Sequence, residues 1–71
     1  MDDKLLQEVF EFCSTCSSEN QKTLAEAIAS PQARSFVFEA VAQTRTTPRD
    51  EREDKVARVA TFALGLFPVA P

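Results

Sequence analysis

Residues 30–48 read SPQARSFVFEAVAQTRTTP, and this stretch decides the fold class. A hydroxyl residue precedes a proline at both ends, as Ser30-Pro31 and Thr47-Pro48. Proline suits the first helical position because its missing N–H would be unpaired there and its φ is already helical. The preceding Ser or Thr can accept a hydrogen bond from a free N–H of the first turn. Ala33, Phe36, Val37, Ala40 and Val41 recur at helical spacing between the two signals, so a helix is predicted from Pro31 to about Gln43. Phe38 falls about 200° from Phe36 on the wheel, beside Ala42 and outside the centre of that face. Residues 44–47 read as a loop. Thr47 then caps the next helix, with Asp50 in its first turn suiting the helix dipole.

Outward from this stretch the pattern stays helical. The helix after Pro48 is predicted to run to about Leu66, with Val56, Val59, Ala60, Ala63, Leu66 and Phe67 as its buried face. Glu51 to Lys55 and Asp54 to Arg58 are favourable i,i+4 pairs, and Gly65 with Pro68 closes the helix. Toward the N-terminus, Asp2 or Asp3 can cap a first helix to about Cys16, whose apolar stripe is Leu5, Leu6, Val9, Phe10, Phe12, Cys13 and Cys16. Ser18 with Gln21 fits a capping box for a short second helix over about residues 19–29. That helix carries Leu24, Ala25, Ala27 and Ile28. The expected fold is a single all-α domain over residues 1–71, a bundle of four helices with the second one short.

Composition agrees. The chain has 71 residues, 44% of them hydrophobic and 27% charged, with a single glycine. That length supports one domain with a modest core, and so few glycines starve a β-architecture of turn residues. Histidine, tyrosine and tryptophan are absent. The commonest general base and metal ligand is therefore missing, and so are two aromatics favoured at binding hot spots. No nucleophile stands near a plausible base, and the cluster Asp50, Glu51, Glu53 and Asp54 alternates with Arg49, Arg52 and Lys55 like a solvated helix start. No enzyme activity and no cofactor are expected. No apolar leader region opens the chain and no run is long enough to cross a membrane, so the expected location is cytoplasmic.

Cys13-x-x-Cys16 is the one motif-like pair. A structural zinc site takes about four ligands, and two thiols without histidine fall short, so no metal is expected. A redox CxxC sits at a helix N-terminus, where the dipole lowers the thiol pKa. Here the pair lies at a helix end on the apolar stripe, and both cysteines read as buried small hydrophobes.

Net charge is −3, unevenly spread. Residues 1–29 hold six acids against two bases, and residues 30–71 hold five against six. The acidic half suits a protein surface better than phosphate backbones. The expected function is a small protein-binding regulator, an adaptor or inhibitor of a larger assembly, acting by contact. Tiny, acidic, catalytically bare helical chains resemble the regulators that phages and plasmids encode. The expected partner-binding residues are Phe38, off its stripe, and the acidic face Asp2, Asp3, Glu8 and Glu11; the alternative for Phe38 is core packing on the second or fourth helix. A homo-oligomer is compatible with this reading.

The competing reading is DNA binding. Leu24-Ala25 with Ile28 resembles the first helix of a helix-turn-helix, Ala25 being the small residue that lets two helices cross closely. Ser30-Pro31-Gln32 would then open the recognition helix. The resemblance spans about 20 residues and departs from the pattern at Ala29, where a turn glycine is usual, and at Ser30, normally apolar. The basic edge Arg34, Arg45, Arg49 and Arg52 could meet phosphate, but the helix from Pro31 offers one arginine beside Glu39. That is poor equipment for base and backbone contacts, and nucleic acid is not the expected partner.

Overall fold

Ser30 is the whole connection between two helices. Pro31 disfavours helical backbone at the residue before it, and Ser30 accordingly takes φ −95° and ψ 119°. Its hydroxyl accepts from the Ala33 N–H and donates to the Phe67 carbonyl (3.1 Å). The buried hydroxyl therefore caps one helix and ties it to the end of another.

The computed structural model describes residues 3–69. Four helices follow one another: α1 (Asp3–Ser14), α2 (Ser18–Ala29), α3 (Pro31–Gln43) and α4 (Arg49–Leu66). No strand occurs among the described residues. Helices α2 and α3 each pack against the other three, while α1 rests on those two. The Cα extents are 34 × 26 × 17 Å, so the bundle is a slab less than two helix diameters thick.

Three boundaries differ from the sequence reading. Helix α1 ends at Ser14, because Thr15 and Cys16 turn back with short hydrogen bonds to Phe12 and Cys13. The cap of α2 is Ser17, one residue early, its hydroxyl accepting from the Asn20 N–H. Helix α4 begins at Arg49 with Pro48 as the capping residue (ψ 144°) and no side-chain cap, so Thr47 does not cap it. The carbonyl of Pro48 already takes the Arg52 N–H (2.8 Å).

Among the described residues, five of the thirteen buried apolar ones are alanines (Ala27, Ala33, Ala40, Ala60 and Ala63). Leu24 is the largest fully buried side chain, followed by Val9, Val37, Val41 and Val56. Small residues draw the helices close and leave no room for every large one. Of the six phenylalanines, Phe12 and Phe38 are buried, Phe67 is half-buried, and Phe10, Phe36 and Phe62 are exposed.

Phe38, read as either an exposed partner contact or a core residue, is 7% exposed and so belongs to the core, which removes it as a partner contact. The reason is the position of α3. Phe36 and Ala40 face the α4 side, where Phe36 stacks on Phe67 with centroids 6.0 Å apart. Phe38 stands about 200° round the helix from Phe36 and is still buried within the core cluster, so α3 buries a far wider arc than one stripe. Phe10 and Leu66, expected in the core, are 55% and 53% exposed.

Candidate functional site

The acidic face and the basic edge predicted from sequence meet each other. Glu8 on α1 receives Arg45 Nε (3.0 and 2.8 Å) and Arg45 Nη2 (2.7 Å), and Arg52 Nη2 approaches at 3.3 Å. These donors, Arg45 first, hold the Glu8 carboxyl below its ordinary pKa. Glu8 is thus engaged within the chain, whereas Glu11 and Asp3 remain exposed. Asp2 lies outside the described residues.

Arg52 is the hub of this junction. Its guanidinium donates to the Val41 carbonyl (2.9 Å) and to Thr44 Oγ1 (3.2 Å), and lies 4.9 Å from the centre of the Phe12 ring. A cation on the last carbonyls of α3 complements that helix's dipole. Arg49 reaches the Thr15 carbonyl (3.0 Å). An open depression of about 370 Å³ between α1 and α4 is lined by Glu8, Phe12, Arg49 and Arg52. Its cations are already spent on carbonyls and carboxylates, leaving a poor anion site. Arg34 is similarly committed, Nε donating to the Ile28 carbonyl (2.7 Å).

A second junction was not foreseen. Glu53 on α4 accepts from the Ser17 N–H (3.2 Å) and from Asn20 Nδ2 (2.6 Å). In a capping box the third helical residue reaches back to the cap N–H. Here Asn20 holds that position and Glu53, from another helix, bridges the two. The Asn20 bond, then the Ser17 bond, lowers the Glu53 pKa. Gln21, expected in that box, instead donates to the carbonyls of Ser14 and Cys16.

Both cysteines are free thiols, Cys13 half-buried and Cys16 buried. Burial pushes both pKa values up, and the nearby Glu53 charge helps carry Cys16 to about 11. Cys16 Sγ donates to the Phe12 carbonyl. These are protonated packing groups at neutral pH.

What the structure does leave open is the seam of α3 and α4. Phe36 (38% exposed) lies along it beside half-buried Val59, and Phe62 (61%) and Leu66 (53%) stand three and seven residues on from Val59, a spacing that continues its flank of α4. Glu39 and Gln43 form the α3 bank, Lys55 and Arg58 the α4 bank. Phe62 and Leu66 stand four residues apart on one helix flank. That spacing was readable, but Leu66 fits equally well on the face centred on Ala60, which is where the sequence pattern placed it.

No helix among the described residues is long and apolar enough to cross a membrane, and no group of three potential ligands there could hold a metal. Set against protein-family models, curated proteins and solved structures, the chain finds no match.

Proposed function

We propose that this chain is a small protein-binding regulator, an adaptor or inhibitor that acts by contact through the α3–α4 seam. One observation carries the reading: Phe36 in the α3–α4 groove, and Phe62 and Leu66 on the flank of α4 that continues from groove-lining Val59, stay partly in water on a molecule whose core is mostly alanine and valine. Fully burying an exposed side chain of this size is worth roughly 1.5–3 kcal/mol, so the part of each that is still exposed is a reserve of binding energy. Aromatic anchors with a polar rim are the usual make-up of an interface hot spot. Glu11 and Asp3 add negative potential at a distance, which governs encounter rate more than affinity. The DNA-binding alternative rests on helix order alone. A single residue joins α2 to α3, and the one arginine of α3 is bonded to Ile28.

The test is paired affinity capture from lysate of the cell that encodes the chain, with wild type and Phe62→Glu as baits. The expected result is one protein held stoichiometrically by wild type and lost from the variant, while Glu11→Lys slows its association and flattens the salt dependence. Equal retention by Phe62→Glu overturns the reading. So does a sequence-specific nanomolar DNA complex lost on Arg34→Ala, since non-specific association stays micromolar or weaker.

A further inference from the structure

Resting on the seam as the contact surface, we propose that its occupant in the isolated protein is a second copy of this chain, forming a two-fold symmetric dimer. The argument is charge and shape. The seam is a groove with an acid, Glu39, on one bank and two bases, Lys55 and Arg58, on the other. Helices α3 and α4 run antiparallel there, since Phe36 in the first half of α3 stacks on Phe67 beyond the end of α4, while Arg52 near the start of α4 bonds Val41 and Thr44 at the end of α3. A two-fold interface sets one patch against itself, so the patch must be self-complementary.

A two-fold axis along the groove lays α3 of each copy over α4 of the other. Each Glu39 then faces the bank of Lys55 and Arg58, and each Phe36 faces Phe62 and Leu66. An axis across the groove would set α3 on α3 and Glu39 against Glu39, which like charge opposes. The committed partners of the two banks do not prevent the first arrangement. Among the described residues, Glu39 pairs with Gln43 of its own helix (3.0 Å), and Arg58 with Asp54 (3.0 Å), a pair 80% and 61% exposed.

Area sets the strength. Phe36 and Phe62 together expose about one whole phenylalanine, ~200 Å². With Leu66, Val59 and the rim the patch comes to roughly 500 Å² per copy, which places the pair near the ~1,000 Å² threshold for a specific interface. The dimer is therefore weak and exchanging. Any target that uses the same seam binds in competition with it, so its apparent affinity falls as the chain concentration rises.

Sedimentation equilibrium of the purified chain, up to about 500 µM to reach weak association, reads the mass directly. The expected result is a rise from 7.9 kDa toward twice that value, with Phe62→Glu monomeric throughout and its circular dichroism unchanged. Glu39→Arg alone and Arg58→Glu alone each weaken the dimer about tenfold. A mixture of the two variants recovers it, because each supplies the charge the other lacks. Wild type that stays at 7.9 kDa overturns the proposal, as does a Phe62→Glu variant that still dimerises. If wild type is monomeric yet Phe62→Glu loses its captured target, the second copy is wrong and the contact reading stands. If wild type dimerises but capture is indifferent to Phe62→Glu, the reverse holds.

Discussion

Phe36 and Phe38 are two residues apart, chemically identical, and have opposite fates. Phe38 is 7% exposed within the core cluster, so Phe38→Ala leaves a cavity and is expected to cost about 3–5 kcal/mol. That is most of the stability of so small a domain. Phe36→Ala removes a half-open stack on Phe67 and is expected to cost about 1 kcal/mol or less. Thermal melts of the pair check both, and equal losses would contradict the packing described. Arg52 makes the second residue-level case. Its guanidinium serves the carbonyl of Val41, the hydroxyl of Thr44, the carboxylate of Glu8 and the face of Phe12 at once. An ammonium lacks that planar fork, so Arg52→Lys is expected to lower stability by about 1–2 kcal/mol in urea titrations despite the retained charge. Neither residue's role was readable from its neighbours in the chain. Phe38 needed the packing of the neighbouring helices, and Arg52 read as one charge of a solvated helix start or of a basic edge.

At the scale of the element, the two hydroxyl–proline signals separate. Ser30-Pro31 acts as read: the serine caps α3 and Pro31 enforces its extended backbone. Thr47-Pro48 marks the right place, but Pro48 takes the capping position itself and Thr47 contributes no cap hydrogen bond. The contrast gives a measurable difference. Ser30→Ala loses a cap and a hydrogen bond to the Phe67 carbonyl, and is expected to cost about 2 kcal/mol. Thr47→Ala is expected to change the unfolding midpoint little, within about 0.5 kcal/mol. Helix α2 teaches a complementary point. Its start is completed by Glu53, 36 residues further on from Ser17, so no local search for a capping box could find it.

For the whole molecule, the slab shape ties charge and surface together. Glu8 joins α1 to Arg45 after α3 and to Arg52 on α4, and Glu53 joins α4 to the start of α2. Both carboxyls titrate lower folded than their ordinary value of 4.5. A depressed folded pKa means the unfolded chain binds the proton first, so the stabilisation is complete above about pH 4.5 and fades as pH falls through the lower folded values. Urea midpoints at neutral pH and near pH 3 check this. The gap between wild type and Glu8→Gln is expected to narrow at the acid end, and a gap that stays constant would remove Glu8 from the acid sensitivity. Four helices, their order and most of their ends follow from the sequence alone, because periodicity, proline placement and hydroxyl caps act over a turn or two of chain. So does the burial of Cys16, which lies in line with Val9 and Phe12. The sequence could not say which large apolar residues remain outside. In a slab with an alanine-rich core the buried arc of each helix is set by its neighbours: α3 packs against three helices and buries Phe38, while α4 packs against two and leaves Phe62 and Leu66 partly in water. Nor could it pair Glu8 with Arg45 and Arg52, since charges 37 and 44 residues apart meet only after the helices have packed.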